Sequence, residues 1–187
     1  MFTSHRTDSV RGSHRSMVLA RGGMVCTSQP LASFAGAEIL RAGGNAVDAA
    51  VGAAALLGVV EPFMTGIGGD CFMLIWSAAE QRLVGLNGSG RAPRMATAAA
   101  LRERGHTQMP MLGMLSVTVP GAVDAWCGAL ERFGRRSLAE MLAPAIDVRR
   151  LFHRFAGGAA VLAFGNLARA VRVRAFLRAL SNHAFPP

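Results

Sequence analysis

The 187-residue chain contains no lysine: all 20 of its basic side chains are arginine. With 11 acidic residues its formal charge is +9, and 51% of it is hydrophobic. That apolar share excludes a disordered polar tail, and the length suits a domain with a buried core. A charge of +9 would ordinarily suggest a polyanionic partner. The missing lysine argues against one, because phosphate-binding surfaces normally use both cations. An all-arginine chain rich in Ala and Gly has the mark of GC-rich coding instead. Acids are also missing from one region. After Asp147 there is no Asp or Glu, yet seven arginines occur there, so residues 1–147 hold 13 Arg against 11 acids. The basicity belongs mainly to the last 40 positions.

Other absences narrow the chemistry. Cys26, Cys71 and Cys127 are odd in number and in no metal or redox spacing, which predicts three buried free thiols in a reducing compartment. The longest apolar run, Ala49–Val60, falls short of the roughly 20 residues that span a bilayer. The opening MFTSHRTDSVRGSHRSMVLARGG holds no apolar run of signal-peptide length. The expectation is a cytoplasmic protein without a membrane partner. His5, His14, His106, His153 and His183 form no i, i+4 pair and no Ser/His/Asp set, so neither a metal nor another cofactor is expected.

What is present reads as an ordered series of elements. Residues 1–22 are expected to be a flexible leader. Met24–Val25 reads as a short strand. Leu31, Phe34, Ala35 and Ile39 recur at helical spacing and predict a helix over Leu31–Ala42 with those four on one face, stopped by Gly43–Gly44. Asn45 is placed to cap a second helix, Ala46–Gly58, apolar on almost every side and therefore buried between layers. Asp48 reads as a charge at that helix's N-terminus. Cys71–Trp76 and Arg82–Asn87 read as a hairpin. Further helices are expected over Ala96–Arg104, from Gly121 to Phe133, and from near Leu138, where Ser137 and Glu140 form a capping-box pattern. Ser116–Val119 reads as a short strand.

Two motifs invite functional readings. TGIGGD (65–70) lacks the Lys and Ser/Thr of a phosphate loop and precedes a strand rather than opening a helix. It reads as a tight backbone passage, where glycine allows close approach or positive φ. LNGSGRAPR (86–94) places Ser89 and Arg91 just past a strand end, where substrate contacts are common and where a guanidinium can hold a carboxylate bidentately. A turn with surface arginines is the competing reading of the same residues.

The combination GGNAVDAAV, VVEP and GIGGD within residues 22–76, followed by LNGSGRAPRMA, SVTVPGAVDAW and LAPAID, strongly resembles the γ-glutamyltranspeptidases and their relatives. The resemblance covers about residues 24–147. It implies an α+β fold, part of the αββα sandwich of N-terminal nucleophile hydrolases. It further implies a precursor that cleaves itself into a large and a small subunit. The small subunit's N-terminal Thr then acts as nucleophile, with its own amine as base, to transfer or hydrolyse a γ-glutamyl or related amide.

Three departures qualify what the resemblance carries over. The nucleophilic Thr is expected beyond residue 187, so no catalytic residue is assigned, and Thr27, Thr65, Thr97, Thr107 and Thr118 are not candidates. A small-molecule amide would then be a partner only once a small subunit completes the site. Next, γ-glutamyl enzymes carry an Arg in a stretch like N-A-R-E-x-A-P that binds the substrate α-carboxylate. Aligning Asn87 and Ala92–Pro93 puts Ser89 in that place, with Arg91 two residues on. These two are the candidate substrate-binding residues, and they move the chain toward the γ-glutamyltranspeptidase-like branch. Finally, the likeness stops near Asp147, where the charge texture breaks. Residues 148–187 are read as an aberrant Arg/Phe-rich tail such as a frameshift produces, and 23–147 as a truncated large-subunit segment, inactive alone. The rival expectations are a non-catalytic binding module keeping the half-fold and a nucleic-acid binder driven by the tail. Missing strands should leave the apolar 46–58 helix uncovered, so a soluble, cooperatively folding monomer would favour the binding module.

Overall fold

A computed structural model describes residues 17–156. Most of the expected leader and residues 157–187 of the expected tail lie outside the described residues. The element order is α1 (Pro30–Arg41), α2 (Ala46–Val60), β1 (Cys71–Ser77), β2 (Arg82–Gly88), α3 (Ala98–Glu103), α4 (Ala122–Phe133) and α5 (Leu138–Ala156).

Local chemistry explains the helix ends. Gln29 accepts from the Leu31 and Ala32 N–H groups, and Pro30 takes the first turn, where its missing N–H costs nothing. Gly43 sits at φ +88 beyond the end of α1, the left-handed stop that glycine adopts without a Cβ clash. Asn45 and Asp48 form a reciprocal capping box at α2. α2 runs to Val60, two residues past the expected end, until Glu61 leaves helical geometry before Pro62. α3 begins at Ala98 rather than Ala96 because Thr97 supplies the cap, accepting from Ala100 N–H at 3.2 Å.

Ser137 and Glu140 pair as expected at the start of α5. The backbone N–H and then the hydroxyl of Ser137 hold the Glu140 carboxyl below the usual carboxylate range. Its stabilising contribution is therefore present at neutral pH and lost as pH falls through that lowered value. A chemical-shift titration of Glu140 should show a low midpoint that rises on Ser137→Ala. An unchanged midpoint would mean that the hydroxyl adds nothing to the backbone N–H of residue 137, which the alanine variant keeps. α5 then continues without interruption across position 147 to Ala156.

The core lies between helices. α2 packs against α1, α4 and α5. Leu56, Val51 and Leu142 are its largest apolar side chains at full burial, and Trp126 lies beside them. The apolar α2 is thus covered, contrary to the expectation that missing strands would expose it: neighbouring helices, not strands, close over it. α1 also departs from the expected face. Ala32, Ala35, Gly36 and Ile39 are buried, while Leu31 and Phe34 are exposed. Small residues let α1 approach α2 closely, and the two large ones line an open groove of about 630 Å³ between α1 and α5.

Among the described residues the sheet is one antiparallel hairpin, in register from Cys71 opposite Gly88 to Ser77 opposite Arg82. Its inner face, with Cys71, Met73 and Ile75 half-buried, packs on α4. Its outer face carries Phe72, Leu74, Trp76 and Leu83 at 60–78% exposure. One helical layer on one sheet face is the mixed helix-and-strand half of the expected sandwich.

Two expected strands do not form. Met24–Val25 is extended but has no ladder partner among the described residues. Its alternation turns Val25 inward against α1, as the contact at Gly36 records, and leaves Cys26 exposed. That corrects the expectation of three buried thiols: Cys127 is buried, Cys71 half-buried and Cys26 open. At 114–119, Met114–Ser116 makes a single 3₁₀ turn and Val117 is extended beyond it. This segment bonds to a loop rather than to a strand, as described next.

Candidate functional site

Three segments meet where the hairpin ends beside the start of α4: Gly69–Asp70 before β1, Gly88–Arg91 at and beyond the end of β2, and Thr118–Gly121 before α4. The Gly69 carbonyl accepts from the Gly121 and Ala122 N–H groups at 3.1 and 3.0 Å. Val119 N–H donates to the Arg91 carbonyl at 3.1 Å. Asp70 Oδ1 accepts from Gly90 N–H at 3.0 Å and from the Thr118 hydroxyl at 3.2 Å.

The segments touch backbone to backbone. A Cβ on Gly90 would lie 1.4 Å from the Val119 carbonyl oxygen, and one on Gly121 2.2 Å from that of Gly88. Close approach is therefore the reason for glycine here. In TGIGGD itself Gly66, Gly68 and Gly69 have no positive φ and open surroundings. The motif contributes the Gly69 carbonyl and the Asp70 carboxylate, while the tight passage falls on Gly90 and Gly121.

Both sequence-identified residues stand on this junction. Ser89 is exposed in the turn leaving β2, where its N–H donates to Asn87 Oδ1 at 2.9 Å. Arg91 is exposed two residues later, its backbone held by Val119. The junction ties the backbone between them to two other segments of the chain. Sequence reasoning did not single out Asp70 or Thr118. Their only signal was placement at the end of one motif and inside another, and neither position announces a hydrogen bond spanning 20 or 48 residues.

Nearby Cys71 is not an activated nucleophile. Burial pushes its thiol up, against a smaller opposing effect of the Trp126 side chain, whereas reactive cysteines need a lowered value. Among the described residues, no group of three or more His, Cys, Asp or Glu is placed to hold a metal ion. None of the described helices is long and apolar enough to cross a membrane.

The profile described as Gamma-glutamyltranspeptidase matches residues 32–151. The chain is 46% identical over 125 residues to the glutathione hydrolase-like YwrD proenzyme of Bacillus subtilis, covering 66% of this chain and 23% of that one. Among solved structures it is similar to a cephalosporin acylase from Bacillus halodurans, with TM-score 0.68 and 47% identity over 81% of this chain and 28% of the other. It is also similar to the γ-glutamyltranspeptidase of Helicobacter pylori, with TM-score 0.64 and 33% identity over 71% and 39%. The chain spans about a quarter of the length of the curated relatives it matches.

Proposed function

The chain belongs to the γ-glutamyltranspeptidase family, and from that premise we propose that it forms one wall of an amide-transferring or amide-hydrolysing site whose nucleophile lies outside these 187 residues. In this reading the missing part supplies an N-terminal Thr that attacks the amide carbonyl, its own amine taking the proton. The present chain supplies binding. Arg91 pairs with a carboxylate of the substrate through its planar, two-pronged guanidinium. Ser89 offers a hydroxyl where γ-glutamyl enzymes carry the Arg that binds the α-carboxylate, and Arg91 stands two residues on, which favours amides of acyl chains over strict γ-glutamyl recognition.

One observation carries this reading: Ser89 and Arg91 are exposed on one stretch of chain held by the Asp70 side chain and by the Val119 backbone, from two distant segments. Greater identity to the hydrolase-like and acylase relatives than to the H. pylori transpeptidase supports the same branch. The outer hairpin face, with Phe72, Leu74 and Trp76 open, is the surface on which the completing part would sit.

The full chain alone should release no p-nitroaniline from γ-glutamyl- or glutaryl-p-nitroanilide. Any turnover would contradict an external nucleophile. Supplying the remainder of the B. subtilis relative in trans should restore hydrolysis, preferentially of the glutaryl substrate, with about a tenfold or greater loss on Arg91→Ala. Failure of the complemented pair would count against the reading as a whole.

A further inference from the structure

We propose that Asp70 is the positioning residue of this site, holding the Ser89–Arg91 turn in the orientation that receives a substrate carboxylate. The assignment rests on the reading of Arg91 as the carboxylate ligand and adds what sets its direction. Asp70 Oδ1 takes the N–H of Gly90, the residue immediately before Arg91, at 3.0 Å. The same oxygen takes the hydroxyl of Thr118 at 3.2 Å, and the next residue, Val119, donates its N–H to the Arg91 carbonyl. The Ser89–Gly90 peptide and the Arg91–Ala92 peptide are therefore both gripped, the first by Asp70 directly and the second by the segment that Asp70 tethers, with only the Gly90–Arg91 peptide between them.

Asp70 is itself exposed, so burial does not explain its place. Its preceding carbonyl, that of Gly69, accepts from both Gly121 and Ala122 N–H. A single two-residue turn thus ties the loop after β2 to the entry of α4. A carboxylate suits this task because hydrogen bonds to an ionised acceptor are stronger than neutral ones. Binding geometry is sensitive to such support, since a small displacement of a bidentate cation costs most of its affinity.

The test uses the full chain and sodium glutarate as the probe. Hydrogen exchange should show the Gly90 amide about tenfold less protected in Asp70→Ala, with α2 unchanged. Asp70→Asn, which keeps an acceptor oxygen but not the charge, should fall between the parent and Asp70→Ala. Glutarate binding should vanish in Arg91→Ala, weaken about tenfold in Asp70→Ala, and weaken about threefold in Thr118→Val. Parent-like binding in Asp70→Ala, with Arg91→Ala silent, would overturn the positioning role while leaving Arg91 as ligand. Glutarate binding that is absent from the parent, or indifferent to Arg91→Ala, would overturn the Arg91 reading and this role with it. If Asp70→Ala loses α2 protection, Thr118→Val decides alone, and parent-like binding there overturns the proposal.

Discussion

Replacing Asp48 by alanine should destabilise the fold by about 3–5 kcal/mol, the cost of removing a buried charge from its donors. Asp48 is fully buried at 0% exposure. Its carboxylate accepts from Asn45 N–H at 2.7 Å, from Arg135 N–H at 3.0 and 3.2 Å, and from Arg136 N–H at 3.2 Å. These donors come from the start of α2 and from the turn between α4 and α5, so one side chain joins three helices. Asn45 adds a second tie, its side-chain N–H donating to the Phe133 carbonyl at 2.5 Å. Alanine leaves the 134–136 turn without its acceptor. Asparagine keeps the shape but opposes N–H to N–H at one oxygen, so its loss should be intermediate. Urea unfolding followed by circular dichroism measures both, and an alanine variant with the parent midpoint would refute the argument.

The second large effect should come from Gly90→Ala. The added Cβ would sit 1.4 Å from the Val119 carbonyl oxygen and 2.5 Å from its carbon. Both atoms are backbone, so no side-chain rotation relieves the overlap, and one of the two segments must move away. The Val119–Arg91 and Gly90–Asp70 bonds should then both be lost. Overpacking and two hydrogen bonds together amount to about 3 kcal/mol of local stability. Exchange of amides over 88–91 and 117–122 should accelerate, with α1 and α2 unaffected. Gly85→Ala is the control: its Cβ would meet Leu74 at an ordinary 3.8 Å, so a change within about 0.5 kcal/mol is expected. Equal effects at the two positions would show that the close approach at Gly90 is not what requires glycine.

Much of the fold was legible because its signals are local. A helix cap needs only an acceptor two or three residues before a free N–H, so Asn45 and Ser137–Glu140 could be recognised in the chain itself. A hairpin needs two β-favouring runs and a short connection, and Cys71–Ser77 with Arg82–Gly88 differ from the expected runs by one residue each. Misreadings occurred where a partner had to be supplied from elsewhere. Met24–Val25 and Ser116–Val119 have strand-like composition, but a strand is defined by the ladder beside it, and the described residues give them none. Leu31 and Phe34 share a helical stripe with Ile39, yet whether a stripe is buried depends on which helix approaches and how closely.

The same division separates the family from the site. Sequence alone determined the order of elements, the caps and stops that bound them, the family motifs, and the two exposed candidates Ser89 and Arg91. Tertiary structure alone decided that Asp48 joins α2 to the α4–α5 turn, that helices rather than strands cover α2, and that Asp70 and Thr118 brace the Arg91 turn. The physical reason is separation along the chain. The bonds that build this junction link residues 20 to 53 positions apart, and those of Asp48 to the distant turn link residues 87 and 88 apart. No local pattern of polarity or propensity marks such partners, because folding brings them together through the packing of everything between them.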